Sequence, residues 1–226
     1  MTSVNLWRSV ASASLFLVVA LAVTPASAGP IQYLSGQFVT DDDLVQLTLT
    51  VQDTSAVTAR TLSFAGGVNF LGAVIPAGGF APILSLFGPG ADLPLIAIDR
   101  NGGPGGCGTR ANDPKTGFCW DGLIQTVLSR GTYRLVLSQD DNAPLGPTFF
   151  DGFLRAGGGN FTGPEFRGGP GSFLLVNGDQ RTANWAVEIS GADQAQLVGE
   201  PSPASLCLIA LGLIGAGGMR RRSCSH

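Results

Sequence analysis

Two kinds of hydrophobic pattern run along this chain. Inside, short stretches alternate apolar and polar positions. At each end, a mainly apolar run carries no charge. Alternation is clearest at Leu44–Val51 and recurs at Val57–Phe64. Short apolar runs follow at Ile83–Phe87, closed by Gly88-Pro89-Gly90, and at Leu95–Ile98. Leu123–Leu128 and Tyr133–Leu137 flank the turn at Arg130-Gly131 and read as a hairpin or strand pair. Phe173–Val176 and Trp185–Ile189 complete the set. A period of two places successive side chains on opposite faces of a sheet, and Gly, Pro and Asp between the segments supply turns. Short strands punctuated in this way predict an all-β sandwich. No segment of helical period competes with it between the two ends, and no fixed-period repeat appears.

The end runs predict targeting. At the N-terminus Arg8 precedes the apolar stretch Val10–Val23, and Pro25 precedes Ala26-Ser27-Ala28. A positive start, an apolar middle and a small-residue site make a secretory signal peptide over 1–28, cut by signal peptidase after Ala28, with Ala26 and Ala28 as its recognition residues. At the other end Pro201-Ser202-Pro203-Ala204-Ser205 leads into the uncharged run Leu206–Met219, and Arg220, Arg221 and Arg222 follow. As a helix over 204–219 this run covers about 20 Å, short of a bilayer core of about 30 Å. The arginine triplet supplies a positive end that stays cytoplasmic and stops transfer.

Removing both ends leaves a domain over 29–199, about 170 residues, enough for one hydrophobic core. It holds nine basic and fifteen acidic residues, scattered rather than blocked. That balance argues against nucleic acid as a partner, because phosphate binding needs clustered Lys and Arg. The single histidine of the chain, His226, lies outside this domain. A Ser-His-Asp or Cys-His site therefore cannot be built within it. Two long loops interrupt the strands, near 99–121 and 139–172, and loops of this length carry function or mobility. The first holds Cys107 and Cys119, twelve positions apart. In an exported domain this pair predicts a disulfide, worth roughly 3 kcal/mol in the chain-entropy account.

The remaining candidates are sparse. Asp41-Asp42-Asp43, Asp99 with Asn101, and Asp140-Asp141-Asn142 sit at strand ends. Such clusters can converge on calcium, with Asp99, Asn101 and Asp140 as its candidate ligands, or they can simply form turns. The spacing matches no contiguous calcium loop, and no metal or other cofactor is expected. Asp121, Asp140 and Asp151 are the carboxylates available to a secreted hydrolase. The second loop carries Phe149, Phe150, Phe153, Phe161 and Phe166. These rings either cover one end of the sandwich or, with Trp120, offer aromatic faces to a carbohydrate.

Two resemblances sharpen the expectation. The tail Pro201-Ser202-Pro203-Ala204-Ser205-Leu206, its apolar helix and its arginines resemble the PEP-CTERM sorting signal over 200–226, with Ser202 in the place of the family's glutamate. That resemblance implies an exosortase, transient anchoring in the inner membrane, and delivery to the cell surface or extracellular polysaccharide matrix. Within the domain, Pro82-Ile83-Leu84-Ser85-Leu86-Phe87, Gly131-Thr132-Tyr133-Arg134-Leu135 and Asn184-Trp185-Ala186-Val187-Glu188-Ile189 follow in order. This order is similar to the bacterial pre-peptidase C-terminal type of β-sandwich, a jelly-roll-like module. It implies a structural, adhesion or binding role rather than catalysis. The expected protein is thus a jelly-roll-like β-sandwich flanked by an N-terminal signal helix and a C-terminal membrane helix. It passes the secretion translocon and functions outside the cell, with extracellular polysaccharide as a partner.

Overall fold

A computed structural model describes residues 29–100, 107–108, 110–113 and 116–198. The signal-cleavage residues Ala26 and Ala28, Asn101, the sorting residues Pro201, Ser202 and Pro203, the apolar segment 204–219 and Arg220, Arg221 and Arg222 lie outside them.

Eleven strands are present among the described residues: β1 (Gln32–Gln37), β2 (Leu44–Val51), β3 (Ser55–Thr61), β4 (Gly67–Val68), β5 (Val74–Ile75), β6 (Pro82–Phe87), β7 (Leu95–Asp99), β8 (Leu123–Leu128), β9 (Gly131–Gln139), β10 (Asn184–Ser190) and β11 (Gln194–Leu197). One sheet has the order β1-β10-β3-β8 and a second the order β11-β2-β9-β6-β7, while β4 and β5 form a small hairpin of their own. All strand pairings are antiparallel. A 3-10 turn at Phe149–Asp151 and a six-residue helix α1 at Thr162–Arg167 lie in the second long loop. Among the described residues no helix is long and apolar enough to cross a membrane.

The alternation read from the sequence settles which face of each strand is inward. In β2, Val45, Leu47, Leu49 and Val51 are buried and the residues between them are partly exposed. They join Tyr133, Leu135 and Leu137 of β9 and Leu84 and Leu86 of β6 in one cluster. The opposing sheet contributes Val57 and Ala59 of β3, Ile124 and Leu128 of β8, and Trp185, Val187 and Ile189 of β10 to the same cluster. The two inner faces thus pack on each other, as in a sandwich. Each fully buried Leu or Ile here stabilises the fold by about 1.5–3 kcal/mol relative to exposure.

Three expectations differ from the structure. Leu123–Leu128 and Tyr133–Leu137 do not form a hairpin: β8 pairs with β3, whereas β9 pairs with β2 and β6. The turn at Ser129-Arg130 carries the chain from one sheet to the other, and Tyr133 donates from its hydroxyl to the Ser129 carbonyl at 2.8 Å across that corner. Alternation fixes the face of a strand and is silent about its neighbour. Phe173–Val176 is not a strand either. Phe173 has φ 54° and gives its N–H to the buried Asp41 carboxylate at 2.6 Å, so the backbone leaves extended geometry. Finally, β3 ends at Thr61 rather than Phe64, because the Phe64 and Ala65 N–H groups turn away to the Asp121 carboxylate at 3.0 and 2.8 Å.

Both outer faces, which an antiparallel sandwich usually leaves to water, are partly covered. On the second sheet, the outward side chains Phe87 and Val136 pack with Phe153 and the half-buried Phe149 of the long loop. These rings therefore roof an outer face instead of capping an end. On the first sheet, the β4–β5 hairpin covers an ion pair.

Candidate functional site: a groove beside a clamped hairpin

Arg60 of β3 and Glu188 of β10 are neighbours in register and point away from the core, since Ala59, Val187 and Ile189 on either side point inward. Such positions predict solvated charges, yet Glu188 is 0% exposed and Arg60 7%. The hairpin supplies the cover and is held by the pair it covers. Arg60 donates through Nε to Glu188 at 2.7 Å and through Nη2 to the Val68 carbonyl at 3.1 Å. The Phe70 N–H donates to the other Glu188 oxygen. The guanidinium of Arg60 stacks 4.1 Å from the Phe70 ring centroid. At the tip, the Asn69 amide oxygen accepts from the Leu71 and Ala73 N–H groups at 3.0 and 2.8 Å and closes the turn. The base is fixed by Arg181, which donates to the carbonyls of Gly79 and Phe64 at 2.9 and 2.7 Å and lies 3.6 Å over the Phe64 ring. Burial pulls this guanidinium below its ordinary pKa. Gly79 is required here, because a Cβ would come within 2.3 Å of the Asn184 carbonyl oxygen and 2.4 Å of that of Ser63.

Between this hairpin and the edge strand β1 lies an open groove of about 320 Å³, at the small end of the usual ligand-site range of about 300–1,000 Å³. Tyr33, Ser35 and Gln37, the outward positions of β1, form one side. Leu62, Ile75 and Pro76 form an apolar wall opposite, and Asn184, Trp185 and Ala186 of β10 contribute the floor with Gly36 and Ser63. Gly36 permits this geometry: a Cβ there would lie 2.8 Å from the Trp185 ring. Gln37 donates from Nε2 to Oδ1 of Asn184 at 2.8 Å. Ser63 accepts from the Ala186 N–H at 3.0 Å, which ties the groove floor to the sheet. No lining residue carries a charge.

The candidates named from sequence lie elsewhere, and most serve the fold. Cys107 and Cys119 are joined, with Cα atoms 5.1 Å apart. Arg110 fastens the loop they close: Nη1 donates to the Asp99 carboxylate at 2.8 Å and to the Asp121 carbonyl at 2.7 Å, and Nε to the Cys107 carbonyl at 3.1 Å. Asp99 also accepts the Leu123 N–H at 2.7 Å, so its carboxylate joins the end of β7 to the start of β8. Asp121 is buried, and besides Phe64 and Ala65 it accepts from the Thr61 hydroxyl at 2.8 Å. Asp151 accepts from the backbone and hydroxyl of Thr148, both at 2.8 Å, and caps the 3-10 turn. Asp140 accepts the Asp141 N–H at 3.0 Å, and burial raises its pKa. Among the described residues, no three Asp, Glu, His or Cys side chains are placed to share a metal ion. Trp120 packs with Phe64 and Phe118, whereas Phe149 packs with Phe87 and Phe153. The two rings thus belong to separate apolar clusters.

Sequence reasoning passed over Tyr33, Ser35 and Gln37 because β1 shows no apolar alternation. Their i, i+2 spacing on a polar, glycine-containing edge segment is the only signal the sequence offered. No protein-family model, curated protein or solved structure matches the chain.

Proposed function

We propose that this chain is an exported, non-catalytic binding protein built on a jelly-roll-like sandwich. In this reading residues 1–28 direct export and are removed, and the tail 200–226 anchors the protein in the inner membrane until an exosortase-type protease cuts it. The domain then joins the cell surface or the polysaccharide matrix. The observation that carries the binding role is the groove, an open, uncharged concavity flanked by a firmly clamped hairpin. Several supports accompany it. Taken in chain order, β1, β2, β3 and β6 alternate between the sheets, as do β7, β8, β9 and β10. This alternation is how a jelly roll is wound. The carboxylates Asp99, Asp121 and Asp151 accept hydrogen bonds that shape turns and strand ends. A second reading places the binding surface on the loop aromatics and rests on Phe150, which is 69% exposed beside the half-buried Phe149.

Cell fractionation with intact-mass measurement tests the proposal. The expected product is outside the cell, begins at Gly29, lacks the arginine triplet, and is lighter by the two hydrogens of a closed disulfide. Full-length protein in the cytoplasm would overturn it.

A further inference from the structure

We propose that the β4–β5 hairpin dips its tip into the surface of a lipid bilayer while the tail holds the domain there. This inference rests on the reading of the tail as a membrane anchor and adds the face that meets the lipid. The leading observation is apolar exposure on a rigid support. Val68, Phe70, Leu71 and Val74 are 56%, 47%, 65% and 77% exposed. Val68 and Val74 are register partners and share one face of the hairpin, and Phe70 and Leu71 lie in its turn. The sequence carries no charge from Thr61 to Ala91, and the Arg60–Glu188 pair beneath is sealed. The backbone is equally prepared. The N–H groups of Asn69, Leu71, Gly72 and Ala73 donate within the turn at 2.8–3.0 Å, and that of Phe70 donates to Glu188. Five consecutive donors are thus satisfied without water, as a segment entering lipid requires. The exposed Leu145, Phe150 and Leu154 of the long loop are instead interleaved with Asp151 and Arg155.

Reach and charge select the bilayer as the occupant. Seven residues, 199–205, separate Val198 from the apolar run. Fully extended they span about 25 Å, less than the width of about 40 Å expected of a domain of this size. One face of a tethered domain therefore confronts the lipid. Val198 follows β11, which sits beside the β1 edge: Gln32 donates to the Ala192 carbonyl at 3.3 Å and accepts the Ala195 N–H. The hairpin stands across one groove from that edge. The domain's fifteen acidic residues against nine basic ones oppose an electrostatic hold on anionic lipid, so the contact is apolar. The exposed parts of the four side chains amount to on the order of 300–400 Å², about half of the roughly 800 Å² per partner of a stable protein interface, which disfavours a second copy. Contact of this size is weak by itself. The tether supplies effective concentration, and cutting the tail frees the domain.

The test reconstitutes the full chain into phosphatidylcholine vesicles. Cys207→Ser and Cys224→Ser leave only the closed Cys107–Cys119 pair. An environment-sensitive dye is attached at Val74→Cys or, for contrast, at Leu145→Cys in the loop that roofs the other sheet, and lipids with a nitroxide in the acyl chain serve as quencher. The Val74 dye should be quenched and the Leu145 dye spared, with no effect of added salt. Leu71→Ser, at an exposed position, should leave the melting temperature unchanged and lower the ratio of lipid-facing to water-facing Val74 dye roughly five- to thirtyfold. An unchanged ratio in Leu71→Ser overturns the apolar tip as the contact. Quenching that needs phosphatidylglycerol and vanishes in salt overturns the charge reasoning. Dye shielding that rises with protein density and ignores the nitroxide makes a second copy the occupant. A chain that floats with the vesicles while its Val74 dye stays in water refutes the inference and leaves the anchor reading standing. A chain that does not float overturns both.

Discussion

Arg60→Met is the most informative single substitution in the fold. It leaves Glu188, fully buried, with the Phe70 N–H as its one remaining partner among the described residues, in place of Nε and Nη2 of Arg60, each 2.7 Å away. Removing one member of a buried pair strands the other charge, at a cost of about 3–5 kcal/mol. Against a domain stability of about 5–15 kcal/mol this is a large fraction. Two further contacts go with it, the bond to the Val68 carbonyl and the stack on Phe70. The hairpin should therefore open before the sandwich does. Urea denaturation reports the global loss, and hydrogen exchange at the Phe70 amide reports the local one. The double variant Arg60→Met/Glu188→Leu provides the contrast. Replacing both charges with apolar groups removes the stranded ion, and such swaps are often neutral or stabilising. The double variant should recover most of the global stability while the Phe70 amide, now without its acceptor, still exchanges fast. If Arg60→Met loses less than about 1 kcal/mol, the value typical of a solvated surface pair, the hairpin does not seal the ion pair and the cover reasoning fails.

Other consequences follow from single contacts. Asp41→Ala removes the acceptor of the Thr162 and Phe173 N–H groups and the Thr162 hydroxyl, so limited proteolysis should cut within 139–172 faster than in the parent. Replacing Cys107 and Cys119 together by Ser should lower stability by about 3 kcal/mol, read by denaturant midpoint under oxidising conditions. Asp140→Asn tests a pH effect. Burial raises the pKa of Asp140 above 3.8, so the folded state holds its proton more tightly than the unfolded state. The stability this contributes is present in acid and lost as the pH rises through the raised value. The variant should therefore gain melting temperature over the parent at pH 7, with the gain shrinking towards pH 3.

The architecture was legible where apolar side chains alternate. Leu44–Val51 and Leu123–Leu128 match β2 and β8 end for end, and Trp185–Ile189 lies within β10. It was illegible where strands are polar or short. Gln32–Gln37 and Gln194–Leu197 are sheet edges with little buried surface, and β4 and β5 have two residues each. Phe173–Val176 looked like a strand because apolar content does not distinguish a strand from a buried coil, and a tertiary bond to Asp41 decided the backbone. The groove depended on both kinds of failure. One side belongs to an edge strand without a pattern, and another to a hairpin whose anchoring pair occupies positions that read as ordinary solvent-facing charges. The disulfide was within reach because its inference needs only compartment, count and spacing. The aspartates were named, but the loop groups they accept from come from distant stretches, such as Thr61 for Asp121.

The most direct test of the whole account compares where the parent and Ser35→Trp proteins settle after export, the added indole filling the groove that Ser35 lines. Both should be processed alike. The parent should remain with washed cells and their matrix, while Ser35→Trp should pass into the medium. Equal retention of the two would contradict the claim that this groove is the working surface of the molecule.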